Sequence, residues 1–324
     1  MKFDTAYCIS LDDKLSIYDV RDLNFDETVA FDSDREYFLC PHDPCRAAFA
    51  EENKLGTFNA KNVSYIRTPH FKDLPSTQHI VDCPYGHTRS SATGLVDNGA
   101  EAEAEREEHF PSELLLTRRQ YVRKPLSAAA AQDLPPLDPP SAPTATTATP
   151  RATPNTPLDK TSVFAHPVEC FVSNYEDKDR LRRMPLKIGE HTAPYANFFK
   201  KIEYLQDNRG LIYWGKIKEI KDYTHSFRVD FEKKVWFEGK PYSVNVYLNK
   251  QLIEGYRKRR AFMEEIRLAI ANERPLYCFF YGITPTLKQV PSKKDPSKTF
   301  SVFSGDIPNL DHFIIREAPG LDAS

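Results

Sequence analysis

Cysteines and histidines between residues 40 and 83 have the types and the spacing of a metal site. Cys40 and Cys45 lie five positions apart in the loop CPHDPC, and His79 and Cys83 lie four apart in HIVDC. Zinc is held in proteins by four thiolate or imidazole ligands in a tetrahedron, commonly supplied as two local pairs. The spacing predicts a Cys₂-His-Cys zinc site, with His70 as a fifth candidate ligand. Four protein ligands leave no position for a catalytic water, so we expect the zinc to be structural.

Short local elements would position the two pairs. The sequence REYFLC (35–40) predicts an apolar strand that ends at the first cysteine of the loop. Ser76 is placed to cap a short helix, on which two residues four apart project from one face. The alternative is that these are ordinary buried cysteines and surface histidines. A module of about 90 residues with few large apolar side chains rarely folds without a disulfide or a bound metal, which favours the zinc site.

The strings FLCPHDPC and HFKDLPSTQHIVDC resemble the zinc-finger module at the N-terminus of competence protein CoiA-like proteins. That module has an aromatic-rich strand, a cysteine pair, a short hairpin, a His-Phe dipeptide, and a downstream histidine and cysteine. The matching residues, within about residues 1–90, are Cys40, Cys45, His70, Phe71, His79 and Cys83. The cysteine pair is more widely spaced than in the family. The resemblance implies a bacterial or mobile-element protein that works near DNA, with a nuclease domain after the finger.

Charge is distributed unevenly along the 324 residues. Residues 1–160 carry 17 Lys and Arg against 25 Asp and Glu, whereas residues 161–324 carry 27 against 21. A basic region is compatible with a polyanionic partner, although most lysines and arginines only keep a surface hydrated. No apolar run of 18 residues or signal-peptide core is present, so no membrane association is expected. The six scattered cysteines suit free or metal-bound thiols in a reducing, cytoplasmic environment.

The length of the chain and a change in composition predict two domains. Much of the region from residue 91 to residue 160 consists of Pro, Ala, Thr, Ser and Glu, with few large apolar side chains. Such a segment cannot bury enough surface to offset its ordering entropy, so we expect a disordered linker at 91–160. Within it, residues 110–124 (FPSELLLTRRQYVRK) could form a short helix. The linker separates a zinc-finger-like module at 1–90 from a domain at 161–324.

Residues 211–316 predict three strands, a helix, and two or three further strands. The helix, QLIEGYRKRRAFMEEIRLAIANE, is long, with an apolar stripe of Leu252, Tyr256, Met263, Ile266 and Ile270. This order resembles an oligonucleotide/oligosaccharide-binding (OB) barrel, in which a helix lies between strands three and four. We therefore expect an α+β chain whose second domain is a mainly antiparallel, OB-like β barrel with one long helix.

Cations and aromatic residues are interleaved in this second domain. Single-stranded nucleic acids are bound by cations that contact phosphates and by aromatic faces that stack on bases. The candidate binding residues are Trp214, Lys216, Lys218, Arg228, Lys233, Trp236, Arg257, Arg260, Lys288, Lys293 and Lys294. The alternative is that strand aromatics are core and that basic runs are solvated. Together the residues favour non-catalytic binding of single-stranded or processed DNA, in DNA transfer, repair or anti-phage defence.

Two other function classes stay open. The acidic N-terminal half could dock a protein, which would make the chain an adaptor without nucleic-acid contact. A metal-dependent nuclease would use an E-x-K unit, Glu232 and Lys234, with Asp222 or Asp230 as the second carboxylate on an adjacent strand. Exposed acid-x-Lys pairs are common on strands because alternate residues share a face, so the nuclease is the less favoured hypothesis.

Overall fold

Helices and strands are mixed along the chain, which confirms the predicted α+β class. The computed structural model describes residues 2–50, 52–63, 69–81, 83–86, 110–123, 159–205, 210–291 and 299–321. None of the helices within these ranges is long and apolar enough to cross a membrane.

The N-terminal residues form a six-stranded antiparallel sheet with two helices. The strands have the spatial order β1-β6-β5-β4-β2-β3. The bounds are β1 Lys2–Phe3, β2 Thr5–Cys8, β3 Asp13–Ser16, α1 Ile17–Phe25, β4 Phe38–Leu39, α2 Asp43–Ala48, β5 Lys54–Phe58 and β6 His70–Asp73. Helix α1 begins with a capping box, in which Ser16 and Asp19 satisfy each other's backbone N–H groups. This cap turns the chain sharply out of β3 and fixes the start of α1.

A four-stranded sheet follows, and part of the predicted linker belongs to it. Its order is β10-β9-β7-β8, and three helices accompany it. The bounds are β7 Glu113–Leu114, β8 Lys160–Thr161, α3 Ala165–Ser173, α4 Lys178–Arg183, β9 Pro185–Ile188, β10 His191–Pro194 and α5 Tyr195–Phe198. Residues 110–123 form a strand and packed coil rather than the predicted short helix. They are part of the fold, whereas 91–109 and 124–158 of the predicted linker lie outside the described residues.

The C-terminal residues form an eight-stranded sheet, of order β18-β19-β16-β13-β12-β17-β20, with β11 beside β12. Only the β16–β19 and β11–β12 pairs are parallel. The bounds are β11 Phe199–Lys201, β12 Ile212–Asp222, β13 Ser226–Phe231, β16 Val244–Asn249, α6 Lys250–Glu254, α7 Arg259–Ala271, β17 Leu276–Tyr281, β18 Thr286–Pro291, β19 Thr299–Asp306 and β20 Phe313–Glu317. Strands β14 (Val235–Phe237) and β15 (Lys240–Tyr242) form a separate hairpin. The pairings among these strands leave the sheet open, so the predicted closed barrel is not found.

The predicted single long helix is two helices. Helix α6 ends at Gly255, and α7 begins four residues later. The break turns the side chains of Arg257 and Lys258 towards α1, where both contact Asp22. The buried face is only partly the predicted one: Ile266 of the predicted stripe lies in the core, together with Phe262, which the stripe did not include. Three residues of the predicted stripe are partly exposed instead, namely Leu252, Met263 and Ile270.

One apolar core joins the two predicted domains. A single cluster of buried side chains runs from Ala6 in the N-terminal sheet, through Phe171 and Trp214, to Leu321. A second cluster lies on the other face of β12 and β17, beneath α7. The N-terminal residues therefore share a core with the C-terminal sheet rather than forming an isolated module.

Charged groups reinforce this contact. Asp22 and Asp26, on or next to α1, are buried and face cations from two other parts of the chain. The Arg257 guanidinium lies 2.9 Å from Asp22 and 3.1 Å from Asp26. Lys258 Nζ is 2.7 Å from Asp22, and Arg118 contacts both carboxylates. Burial alone would raise the pKa of Asp22, but Lys258 and Arg257 more than offset it and hold that pKa well below its usual range.

A third carboxylate, Asp311, balances the cations. It accepts a hydrogen bond from Tyr256 at 2.8 Å and from Arg257 at 2.7 Å. Three acids thus meet three bases, and part of the charge asymmetry of the sequence is neutralised within the chain. We call this network the charge clamp; its members are Asp22, Asp26, Arg118, Arg257, Lys258 and Asp311.

Candidate metal centre

Two loops bring the four predicted ligands together. Cys40 follows β4 directly, and Cys45 lies in the first turn of α2. The predicted helix through His79 and Cys83 is wrong, since residues 74–81 and 83–86 are turns and coil. The Cys83 N–H instead donates to the Ile80 carbonyl at 3.1 Å. Turns therefore deliver the second pair of ligands that the sequence assigned to a helix face.

The ligand atoms have the spacing of a tetrahedral metal site. The donor atoms of Cys40, Cys45, His79 and Cys83 all lie within 4.8 Å of one another. The Cys40 and Cys83 sulfurs are 3.5 Å apart, and His79 Nδ1 is 3.4 Å from Cys45 Sγ and 3.3 Å from Cys83 Sγ. A tetrahedral zinc with ordinary bond lengths separates its sulfurs by about 3.8 Å and sulfur from nitrogen by about 3.6 Å. These residues can hold a metal ion.

His70, the fifth candidate, is not part of this cluster. It lies on β6 and is buried, with its ring stacked on that of Phe58 at 4.5 Å between centroids. The choice between His70 and His79 is thus decided by strand geometry, because β6 carries His70 into the sheet while the chain after β6 turns back to the cysteines.

Polar residues around the cluster orient its ligands. His79 Nε2 lies 3.2 Å from an Asp73 carboxylate oxygen, an arrangement that fixes the tautomer of a metal-bound histidine. Asn53 is fully buried and donates to the Cys45 carbonyl at 2.9 Å. The Arg46 guanidinium donates to the Cys40 carbonyl at 3.1 Å. Sequence reasoning missed Asp73 and Asn53, since nothing in their spacing marks them.

The backbone at Gly86 packs directly against two of the candidate ligands. A Cβ at this position would lie 2.9 Å from His79 Cβ and 3.3 Å from the Cys83 carbonyl oxygen. The Gly86 N–H also donates to that carbonyl at 2.8 Å. The chain can pass this close to the two ligands only because the residue has no side chain.

Electrostatics favour a cation here. Burial raises the pKa of the Cys40 and Cys83 thiols; Cys83 and Cys45 raise that of Cys40 further, while for Cys83 the neighbour Cys45 raises the pKa and the hydrogen bond with Cys40 lowers it. Without a cation the thiols would be held protonated, whereas a bound divalent metal stabilises thiolates directly. Three sulfurs and one imidazole are a donor set that zinc binds in closed, structural sites.

Removal of the Asp73 carboxylate should weaken metal binding. We expect Asp73→Ala to lower metal affinity by about 10–100-fold, because the His79 ring loses its partner. Competition with a chromophoric chelator measures this change. Asp32→Ala is the matched control, since Asp32 pairs with Lys61 on the surface. Equal affinities in the two variants would contradict the role assigned to Asp73.

Among the described residues, the E-x-K unit is not part of a cluster of three or more converging metal ligands. Glu232 and Lys234 lie in the bend between β13 and β14, not on a strand. Glu232 is 3.6 Å from Lys216, while Asp230 is paired with Arg228 at 2.8 Å. Across the described ranges, the Cys₃His cluster is the one group of three or more such ligands with converging donor atoms. This placement does not favour the nuclease hypothesis.

Two predicted nucleic-acid contacts are corrected by the structure. Trp214 is 4% exposed and lies edge-on to Phe171 and Tyr175 in the shared core, so its ring is not offered to a base. Because β12 is covered on both faces, the alternation of residues along the strand does not predict that Trp214 is buried. Arg257 is committed to the charge clamp and is likewise withdrawn from solvent.

The other candidates lie on separate parts of the surface. Arg228 and Lys288 share the outer face of the C-terminal sheet. Lys216 and Lys218 are on β12, and Lys233 precedes the β14–β15 hairpin, where Trp236 is 71% exposed. Arg260 is exposed at the start of α7, beside Glu27. Lys293 and Lys294 lie outside the described residues.

Comparisons with protein-family models, with curated proteins and with solved structures gave no match for this chain. Function must therefore be argued from the geometry of the metal centre and of the sheet surface.

Proposed function

We propose that the protein is a non-catalytic, single-strand nucleic-acid-binding protein with a structural zinc ion at the Cys₃His cluster. The observation that carries the proposal is one sheet face that carries both cations and aromatic rings, some of them exposed and some half-buried. We call it the outer sheet surface; its residues are Lys221, Arg228, Tyr247, Lys288 and Phe300.

Strand register places these residues on one face. Arg228 pairs directly with Lys221 on one side and with Tyr247 on the other, and directly paired residues project to the same face. Phe300 shares its face with Ser304 on β19, and Ser304 pairs with Asn245, two residues from Tyr247. Lys288 pairs with Val302 on that same face. Asn245, Ser304 and Val302 lie between these residues on this face and are buried, so the face carries two groups of residues, one at Lys221, Arg228 and Tyr247 and one at Lys288 and Phe300.

The surface has the composition that single strands need. Phe300 is 51% exposed, and the side chains of Lys288 and Lys221 are 46% and 38% exposed. Exposed aromatic rings stack on unpaired bases whatever their sequence, while cations follow the phosphates. Each of the three cations is paired with a carboxylate: Lys221 with Glu219, Arg228 with Asp230, and Lys288 with Asp306. A phosphate can replace the exposed carboxylates of Glu219 and Asp306 at little cost, whereas the Arg228–Asp230 pair is largely buried.

An OB-like arrangement supports the same surface. Numbered along the chain, β12, β13, β16, β17 and β19 are strands one to five, and their spatial order is five, three, two, one, four. Helices α6 and α7 lie between strands three and four, and strands three and five are parallel. OB folds bind oligonucleotides on the face of strands two and three and on the loops after strands one and four. Arg228 and Tyr247 lie on strands two and three, which supports the proposed interface.

The zinc has a structural role in this proposal. It would close the loop after β4 onto the turn after β6, in a sheet whose strands are only two to five residues long. The N-terminal residues then contact the core through α1 and the charge clamp. The resemblance to CoiA-like fingers is consistent with work near DNA, in transfer, repair or defence.

Substitutions on the outer sheet surface should weaken binding selectively. We expect Phe300→Ala to reduce affinity for a labelled oligo-dT about tenfold, since one base stack contributes about 1–3 kcal/mol. Lys288→Gln should weaken binding less and make it less salt-dependent. Fluorescence anisotropy with the full chain measures both.

Matched controls come from the N-terminal sheet and from α4. Tyr37→Ala removes an equally exposed ring, and Arg182→Gln removes an exposed cation. Both should bind as the wild type does. If all four variants lose affinity equally, or none does, this surface is not the interface. Binding that is lost only in Trp236→Ala would move the site to the β14–β15 hairpin.

A further inference from the structure

The β14–β15 hairpin presents an exposed aromatic face that lies outside the outer sheet surface. Trp236 pairs directly with Pro241, so both side chains project to the same side of the hairpin. Trp236 is 71% exposed and Pro241 is exposed too, whereas the preceding residue, Val235, is buried in the core. Successive side chains of a strand point to opposite faces, so the ring of Trp236 is directed away from the core and is offered to solvent.

The hairpin is held in a defined position. Its two turn residues, Glu238 and Gly239, have φ of 49° and 75°, the left-handed geometry that a tight two-residue hairpin turn requires. On the core side, the rings of Phe237 and Tyr242 lie edge-on to Phe303, at 5.8 Å and 6.0 Å between centroids. Because the opposite face is anchored, the exposed ring can meet a ligand with little loss of conformational entropy.

Three lysines flank the exposed ring in the sequence. Lys233 and Lys234 precede β14, and Lys240 is the first residue of β15. All three are exposed, and within the part of the chain that the structure describes no carboxylate forms an ion pair with any of them. The acids of this stretch are Glu232, which is paired with a lysine of β12 at 3.6 Å, and the turn residue Glu238, which leaves a net positive charge. Each cation of the outer sheet surface has a carboxylate partner, so the charge of the hairpin is more available to an anionic ligand.

The hairpin lies next to the part of β19 that carries Phe300. Ser243 follows β15 directly, and its carbonyl accepts a hydrogen bond from the Phe303 N–H at 2.9 Å. Phe300 precedes Phe303 by three residues, which is about 10 Å along an extended strand. A single strand that is stacked on Phe300 can therefore continue to the hairpin, where an aromatic ring and lysines have the composition that single strands need.

We propose that the β14–β15 hairpin is a second nucleic-acid subsite, at which Trp236 stacks on a base while Lys233 and Lys234 contact the adjoining phosphates. The inference rests on the proposed function, since the strand reaches this subsite from the outer sheet surface. That surface extends over four strand spacings of about 4.8 Å, from Lys221 on β12 to Lys288 on β18, which is about 19 Å. A stacked strand that advances about 3.4 Å per nucleotide covers this distance with about six nucleotides. The substrate class is therefore a single strand longer than this, because only the additional nucleotides reach the hairpin.

Fluorescence anisotropy of the full chain with labelled oligo-dT tests this subsite. Two lengths are compared, about 6 and about 16 nucleotides, within the range of site sizes that OB folds show. We expect Trp236→Ala to weaken binding of the longer oligonucleotide about tenfold, through the loss of one base stack, and binding of the shorter one less than about twofold. Lys233→Gln combined with Lys234→Gln should reduce the logarithmic salt slope for the longer oligonucleotide by about 1.4, the value of two phosphate contacts. The shorter oligonucleotide should retain the slope of about −2 that the outer sheet surface gives.

Two variants serve as controls. Trp236→Phe keeps an aromatic ring and should bind the longer oligonucleotide nearly as the wild type does, and Tyr37→Ala, which removes an exposed ring beside β4, should match the wild type. Unchanged binding of the longer oligonucleotide in Trp236→Ala would overturn the inference, and so would an equal loss for both lengths. If Phe300→Ala weakens binding of both lengths while Trp236→Ala changes neither, the subsite fails and the proposed function stands. Absence of binding by the wild type at both lengths would contradict the proposed function as well.

Discussion

Cys83→Ser should bind no zinc and should unfold at a temperature about 5–8 °C below that of the wild type. Structural zinc contributes an apparent 10–16 kcal/mol to the folding of small finger peptides, and loss of even a third of this would produce such a shift in a chain of this size. The effect should not stop at the N-terminal sheet, because that sheet shares its core with Trp214 and Phe279.

Zinc content and tryptophan fluorescence measure this result together. The chain has two tryptophans: Trp214 lies in the shared core and Trp236 is exposed, so a change in emission reports on the core. Cys170→Ser is the matched control, since Cys170 is partly buried and lies outside the metal cluster. Full metal retention in Cys83→Ser would show that its sulfur is not a ligand.

Arg257→Met should cost about 3–5 kcal/mol of unfolding free energy, the largest effect we expect from a residue outside the metal centre. The substitution removes one of the two arginines that contact both Asp22 and Asp26, and the Asp26 side chain is fully buried. Arg118 and Lys258 remain in the charge clamp and should hold the loss near the lower limit. Urea denaturation measures the difference.

Arg260→Met is the control for this prediction. Arg260 is three positions further along the same basic run, but its side chain is 83% exposed, beside Glu27. Its loss should change stability by no more than about 0.5 kcal/mol. Equal destabilisation by the two variants would contradict the clamp. Equal stability of Arg257→Met and the wild type would contradict it as well.

The charge clamp also makes the stability of the protein depend on pH. Because the pKa of Asp22 is lowered in the folded state, its contribution to stability is present above the ordinary aspartate pKa and is lost as pH falls through the lowered value. Acid should therefore destabilise the wild type more steeply than Arg257→Met below about pH 4. Denaturation midpoints measured between pH 3 and pH 6 test the sign.

The metal ligands were predictable because each pair is local. Residues four or five positions apart are separated by at most about 13–18 Å even in an extended chain, so one turn is enough to bring Cys40 close to Cys45, and His79 close to Cys83. The conformation itself was not predictable: the second pair lies on turns, where the sequence indicated a helix. His70 was a reasonable candidate that only the register of β6 excludes.

The errors in the C-terminal half share a physical cause, which is contact between residues far apart in sequence. In the sequence, Arg257 belongs to a basic run that is typical of a solvated helix face. In the structure, two carboxylates on or next to α1, more than 230 positions away, bind it. Trp214 was a candidate surface ring because the sequence of a single strand does not indicate whether one or both of its faces are covered. The open sheet and the break before α7 depend on the same long-range packing.

The measurement that tests the central claim most directly is fluorescence anisotropy of the full chain with a labelled single-stranded oligonucleotide, with duplex in parallel, over a range of salt. We predict tighter binding to the single strand, with an affinity that falls with salt at a logarithmic slope of about −2, as expected for three cations on phosphates. Absence of binding at low salt would contradict the proposal and would favour a protein-binding adaptor.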